Sequence, residues 1–158
     1  MTEKKVTAKI IKDLIVKEIV SLNHGKAGDA LLRPNMAVVM IGEDKESDKF
    51  LEKLKKEAVK VGIDTHIYKC PSASDEEEIK AIIECLNNDE LIDGIYLQLP
   101  VPENFEEEDV LAFVKTDKDL NYVLDSSLDK DLMRQAKLFK GVLDNFKGKQ
   151  IETLQNII

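Results

Sequence analysis

The side chains able to do chemistry fall in a few short segments. SDKFLEKLKKEAVKVGI, residues 47–63, carries Ser47 and a run of lysines in a pattern that reads as a helix. Phe50 and Leu54 stand four apart and so share one helix face. Lys53 and Lys55 flank Leu54 in sequence but point about 100° away around the helix axis. The Phe50–Leu54 face is either plain core or a ligand site that has lost its chemistry. Gln98 lies in DGIYLQL, residues 93–99, just before Pro100 and Pro102, whose rings fix φ and stiffen the segment. TDKDLNYV, residues 116–123, offers Asn121 and Tyr122. Cys70, Cys85, His24 and His66 show no metal-ligand spacing, and the two thiols are expected to be reduced.

The elements that must position these residues alternate. VTAKIIKDLIVKEIVSL, residues 6–22, repeats Ile10, Ile11, Leu14, Ile15, Ile19 and Leu22 at helical spacing and stops near Asn23-His24-Gly25. Residues 24–33 form a loop with a short turn. MAVVMIG, residues 36–42, is an unbroken apolar run, as in a strand covered on both faces. The helix 47–61 follows, capped by Asp44 or Ser47 and ended by Gly62. IDTHIYKC, residues 63–70, reads as a second strand nearer an edge. Ser74 with Glu77 reads as a capping box opening a helix over 75–87, with Ile79, Ile82, Ile83 and Leu86 inward. Residues 93–99 make a third strand and 106–115 a short helix with an acidic first turn. Residues 117–127 are mostly loop. A long helix over 128–146 has Leu132, Ala136, Phe139, Leu143 and Phe146 on one side, contains Gly141 and ends at Gly148; residues 151–158 add a terminal turn or two. The expected fold is a three-layer α/β/α domain with a small, mostly parallel sheet and a C-terminal helical tail.

The bulk properties narrow the function. The 158 residues suffice for one domain with a core, and the net charge of −8 disfavours nucleic-acid binding. No apolar run is long enough to cross a membrane, and the N-terminus lacks the apolar core of a signal peptide, so a cytoplasmic protein is expected. A bound dinucleotide or ATP usually needs a glycine-rich turn after a strand. The candidate turn, IGEDKES at 41–47, has one glycine, and neither GxGxxG nor GxxxxGK[ST] occurs.

Together, AVVMIGEDKESDKFLEKLKKEAVKVGI at 37–63, DGIYLQLPVP at 93–102 and TDKDLNYV at 116–123 resemble the N-terminal catalytic domain of the bifunctional methylenetetrahydrofolate dehydrogenase/cyclohydrolase family. The Gln-Leu-Pro-x-Pro segment after Asp-Gly-Ile is a specific match, and the resemblance runs from about residue 8 to 123. It implies a cleft in which a folate carbon first gives up hydride to a nicotinamide dinucleotide and is then hydrolysed from methenyl to formyl. The family carries Ser-x-x-Tyr-x-x-x-Lys on the helix after the first matched strand. The tyrosine stacks on the pterin and the lysine drives the cyclohydrolase step. At these positions this chain has Ser47, Phe50 and Leu54. Gln98 matches the glutamine that supports the lysine and substrate, while Lys56 matches another basic position and is expected on the solvated surface. The family's Lys-Asp-Val-Asp-Gly becomes Lys118, Asp119, Leu120, Asn121 and Tyr122. An amide thus replaces the carboxylate that grips the pterin, and Tyr122 is expected to reshape or fill the cleft, strained if the glycine it replaces held positive φ.

The resemblance therefore implies a catalytic-type domain over 1–127 and a helical tail over 128–158, without the nucleotide-binding domain and without a bound NAD(P) or metal. The substrate-binding candidates are Phe50, Gln98, Pro100, Asn121 and Tyr122. With a side chain unable to exchange protons at Leu54, the expected protein is a catalytically inactive relative, a monomer or weak dimer, that binds a folate-like molecule or a partner protein. The alternative is the parent dehydrogenase/cyclohydrolase activity, or folate binding, in one-carbon metabolism.

Overall fold

The structure, a computed structural model, describes residues 3–124 and 131–157. In chain order the elements are α1 (Glu3–Leu22), β1 (Asn35–Ile41), α2 (Lys45–Val61), β2 (Asp64–Cys70), α3 (Glu76–Asn87), β3 (Gly94–Gln98), α4 (Glu107–Leu111) and α5 (Asp131–Ile157). The three strands are parallel in the order β2-β1-β3. The expected boundary at 127/128 and the helix start at Leu128 lie outside the described residues.

The alternation of side chains along β1 builds both cores. Met36, Val38 and Met40 face one side, packed with Ile15, Leu54 and Phe139 from α1, α2 and α5. Ala37, Val39 and Ile41 face the other, packed with Ile79 and Ile83 of α3 and Val110 of α4. The expected layering of helices, parallel sheet and helices is what forms. β2 is an edge strand, as its mixed pattern suggested.

Helix ends follow side-chain chemistry. Asp44 caps α2 by accepting from the Ser47 backbone N–H at 2.9 Å, and Gly62 closes it at φ 95°, a left-handed conformation that favours glycine. In α3 the cap is Asp75, which accepts from the Glu78 N–H at 2.8 Å; Ser74 is buried one residue before it, so the anticipated Ser74–Glu77 box does not form. In α1 the inward stripe is Ala8, Ile11, Ile15 and Ile19, while Ile10 and Leu14 point outward at 53% and 54% exposure. Those two sit about 100° around the helix from the stripe that meets α5 and α2.

Two helix lengths differ from expectation. α4 stops at Leu111 rather than 115 because the Asn87 amide takes over the backbone there, donating to Phe113 O at 2.8 Å and accepting from Lys115 N at 3.0 Å. Conversely, α5 continues through Gly148 to Ile157. Gly148 is not among the positive-φ glycines, and without a left-handed turn it does not end the helix. Ala136, Phe139, Leu143 and Phe146 are buried as expected, whereas Leu132 is 38% exposed.

A close approach fixes the start of β3. A Cβ on Gly94 would stand 2.7 Å from Leu120 Cδ1 and 2.8 Å from its Cγ, and Leu120 is fully buried. Gly94→Ala is therefore expected to cost about 2 kcal/mol by forcing Leu120 off its rotamer. An unchanged urea midpoint would show that Leu120 moves freely.

Candidate functional site

α2 and α3 pack on opposite faces of the sheet, and β1 lies between β2 and β3. The connections therefore diverge at the carboxyl end of β1 next to β3. Ligands of open parallel sheets gather at such a switch point.

The α2 N-terminus and the end of β3 meet there through three side chains. Ser47 Oγ donates to Asp44 Oδ2 at 2.7 Å, leaving its lone pairs to accept from Gln98 Nε2 at 3.1 Å. Gln98 Nε2 also donates to Leu99 O at 2.9 Å. Both acceptors demand the amide nitrogen on this side, which fixes the orientation of the group. Gln98 Oε1 is consequently turned away and has no hydrogen-bond partner, although the residue is only 4% exposed. A buried orphan acceptor of this kind calls for an explanation. The hydrogen bonds from the Ser47 hydroxyl and then its backbone N–H hold the Asp44 carboxyl below the ordinary aspartate range.

These residues line a cavity of about 460 Å³ together with Glu46, Lys49, Phe50, Lys53, Leu99, Pro100 and Arg134. Phe50 is 5% exposed; the Arg134 Cζ lies 5.2 Å from its ring centroid, and Tyr96 meets it edge-on at 6.5 Å and 67°. A second hollow of about 500 Å³ adjoins it, sharing Asp44 and Pro100 and extending to Pro71 and Pro102. The Leu99–Pro100 peptide is cis.

The structure thus brings Phe50, Gln98 and Pro100 to one cavity. Leu54 is not on its wall: it is wholly buried in the core between α2 and the sheet. Asn121 is engaged elsewhere, its Oδ1 accepting from Leu97 N at 2.8 Å and its Nδ2 donating to Leu97 O at 2.9 Å. Tyr122 is 70% exposed and fills no cleft, and no described non-glycine residue has positive φ, so it carries no strain of that kind. Lys56 is exposed, as expected.

Sequence reading missed Arg134 and the placement of Lys49 and Lys53 at the rim. Arg134 sits on α5, beyond the segments that carry the resemblance, and reaches the site only through the docking of that helix. Its one signal is rarity, since Arg33 is the only other arginine in a chain of 23 basic residues.

A larger cavity, about 770 Å³, lies at the opposite end of the strands, by Asn35 and Asp93. Three of its four lining cations are committed to the fold. Lys149 pairs with the buried Asp93 Oδ1 at 2.6 Å, Lys118 donates to Leu86 O at 3.0 Å and Asp89 O at 2.7 Å, and Arg33 pairs with Asp64 at 3.0 Å. Burial pushes the Lys118 amine down despite nearby carboxylates. The smaller cavity, at the switch point and lined by Gln98 and Phe50, is the stronger candidate. Among the described residues no group of histidine, cysteine and carboxylate side chains could hold a metal, and no helix is long and apolar enough to cross a membrane. Cys70 is buried, which pushes its thiol up, and Cys85 is exposed.

Comparison with known proteins agrees with this geometry. The family described as tetrahydrofolate dehydrogenase/cyclohydrolase, catalytic domain, matches residues 1–121. The bifunctional protein FolD of Ruminiclostridium cellulolyticum is 38% identical over 88 residues, covering 56% of this chain and 31% of that protein. FolD of Rhodospirillum rubrum is 34% identical over 117 residues, covering 74% of this chain and 38% of that protein. The chain spans roughly a third of the length of these curated relatives. Among solved structures, the 5,10-methylenetetrahydrofolate dehydrogenase of the silkworm Bombyx mori superposes with a TM-score of 0.65 at 30% identity, covering 74% of this chain and 39% of that one. The Trypanosoma brucei dehydrogenase-cyclohydrolase, solved with NADP and an inhibitor, gives 0.69 at 22% identity over 78% of this chain and 41% of that one, a likeness of fold. With residues 1–121 matched, the chain belongs to the tetrahydrofolate dehydrogenase/cyclohydrolase catalytic-domain family.

Proposed function

We propose that the cavity at the carboxyl ends of β1 and β3 binds a reduced-folate-type small molecule, and that the chain acts in one-carbon metabolism by binding rather than by turnover. One observation carries this: Gln98, in the family's Gln-Leu-Pro-x-Pro segment, lines the cavity and is clamped by Ser47 and Leu99, with its Oε1 left buried and unpaired. A ligand N–H would satisfy it, and a pterin ring carries such donors. The reading excludes the family's proton chemistry because the position matched to its lysine is Leu54, buried in the core with no group able to exchange a proton. In this reading the nicotinamide dinucleotide has no site on this chain, the partner is the small molecule, and the protein works in the cytoplasm.

Calorimetric titration with tetrahydrofolate tests the proposal. Micromolar binding is expected, weakened about tenfold by Gln98→Leu through loss of the acceptor and its clamp. Absence of heat up to millimolar ligand would remove the proposal. A second reading, hydrolysis of methenyltetrahydrofolate, is favoured by Lys53, whose side chain lines the same cavity. It predicts hydrolysis well above the spontaneous rate and lost in Lys53→Met; the binding reading predicts no excess rate.

A further inference from the structure

We propose that Arg134 of α5 is the specificity-determining residue of this cleft, pairing with a carboxylate on the ligand whose N–H donor meets Gln98 Oε1. This rests on the folate-type reading and deepens it. The Phe50 ring does not offer a bare stacking surface, because the guanidinium already lies 5.2 Å over its centroid and the Tyr96 ring packs against it at 6.5 Å and 67°. A cation seated on an aromatic face keeps its in-plane N–H donors directed outward, and a guanidinium stays charged at any working pH. Among the described residues no carboxylate pairs with Arg134.

The surroundings favour an anion. Lys49 and Lys53, one helical turn apart on α2, line the same cavity, so three cations there face the carboxylates of Asp44 and Glu46. Asp44 is already committed to Ser47. In a chain of net charge −8 this makes a local positive rim, and a guanidinium fork matches a carboxylate in two parallel hydrogen bonds. Gln98, which lines the same cavity and holds a buried, unpaired Oε1, supplies the second point of recognition. Arg134 stands on α5, outside residues 1–121, the segment that the family model matches.

The test uses two probes that share the reduced pterin ring. Tetrahydrofolate carries the glutamyl carboxylates; 6-methyltetrahydropterin does not. The intact protein is expected to bind tetrahydrofolate at least tenfold more tightly. Arg134→Leu is expected to weaken tetrahydrofolate about tenfold and the pterin less than twofold, with Arg134→Lys recovering part of the loss. Thermal midpoints of both variants confirm that they fold. Equal weakening of both probes, or no weakening of either, would overturn the role of Arg134 while leaving the folate-type reading in place. No binding of either probe by the intact protein would remove both.

Discussion

Leu54→Lys, which restores the residue type the family carries at that position, is expected to destabilise the domain by about 4 kcal/mol rather than to create an active site. Leu54 is wholly buried with Met36, Val38 and Phe139, and does not line the cavity. The substitution removes a packed isobutyl group, a change of the size that costs about 2–5 kcal/mol when truncated, and adds an ammonium that must be desolvated or neutralised. The sign of the pH dependence follows. Burial lowers the folded-state pKa of the new lysine, so the charge penalty is full below that depressed value and shrinks as pH rises from it toward the unfolded lysine value of about 10.4. Urea midpoints of the variant and the parent should therefore converge partly as pH rises toward about 10. A variant as stable as the parent at pH 7, hydrolysing methenyltetrahydrofolate, would mean that position 54 reaches the cleft.

Asn121→Asp, the opposite restoration, is expected to cost about 3 kcal/mol, at the upper end for a hydrogen bond lost to a charged replacement. The Asn121 amide uses both halves at once, accepting from Leu97 N and donating to Leu97 O. A carboxylate keeps the first bond but sets an oxygen against the Leu97 carbonyl, which no proton separates at neutral pH. Protonation supplies that donor, so the loss should lessen below the carboxylate's folded-state pKa, raised by this repulsion. Urea unfolding of Asn121→Asp at pH 7 and pH 4 checks it; equal stability of variant and parent at pH 7 would show that the Leu97 pairing carries no weight. At both family positions the substituted residue is thus bound up in the fold of this chain.

What could be read from the sequence was local. The unbroken run MAVVMIG placed β1, and its alternation assigned each residue to a core. Asp44 and Gly62 marked the ends of α2 because capping chemistry acts within one turn. The misreadings involve long-range partners or backbone freedom. Asn87 halts α4 from 26 residues away, and Gly148 stays helical because nothing imposes a left-handed turn on it. The same division holds in the site. Phe50, Gln98 and Pro100 line one cavity, and a spaced motif carries all three in the sequence. Arg134 was not legible there, because only the packing of α5 across α1 and α2 brings it over Phe50. Asn121 was read as facing a ligand, and its bonds to Leu97 become visible only once the chain after α4 returns beside β3.

That return has a further effect. Ile95 N donates to Lys118 O at 2.7 Å, Leu120 N donates to Ile95 O at 3.0 Å, and Asn121 completes the row at Leu97. Residues 118–121 therefore serve as a surrogate fourth strand, and that margin of the sheet cannot template an invading chain. Any intermolecular β-pairing must start at the other margin, along β2, where Lys69 and its partner Asp48 set charge against it.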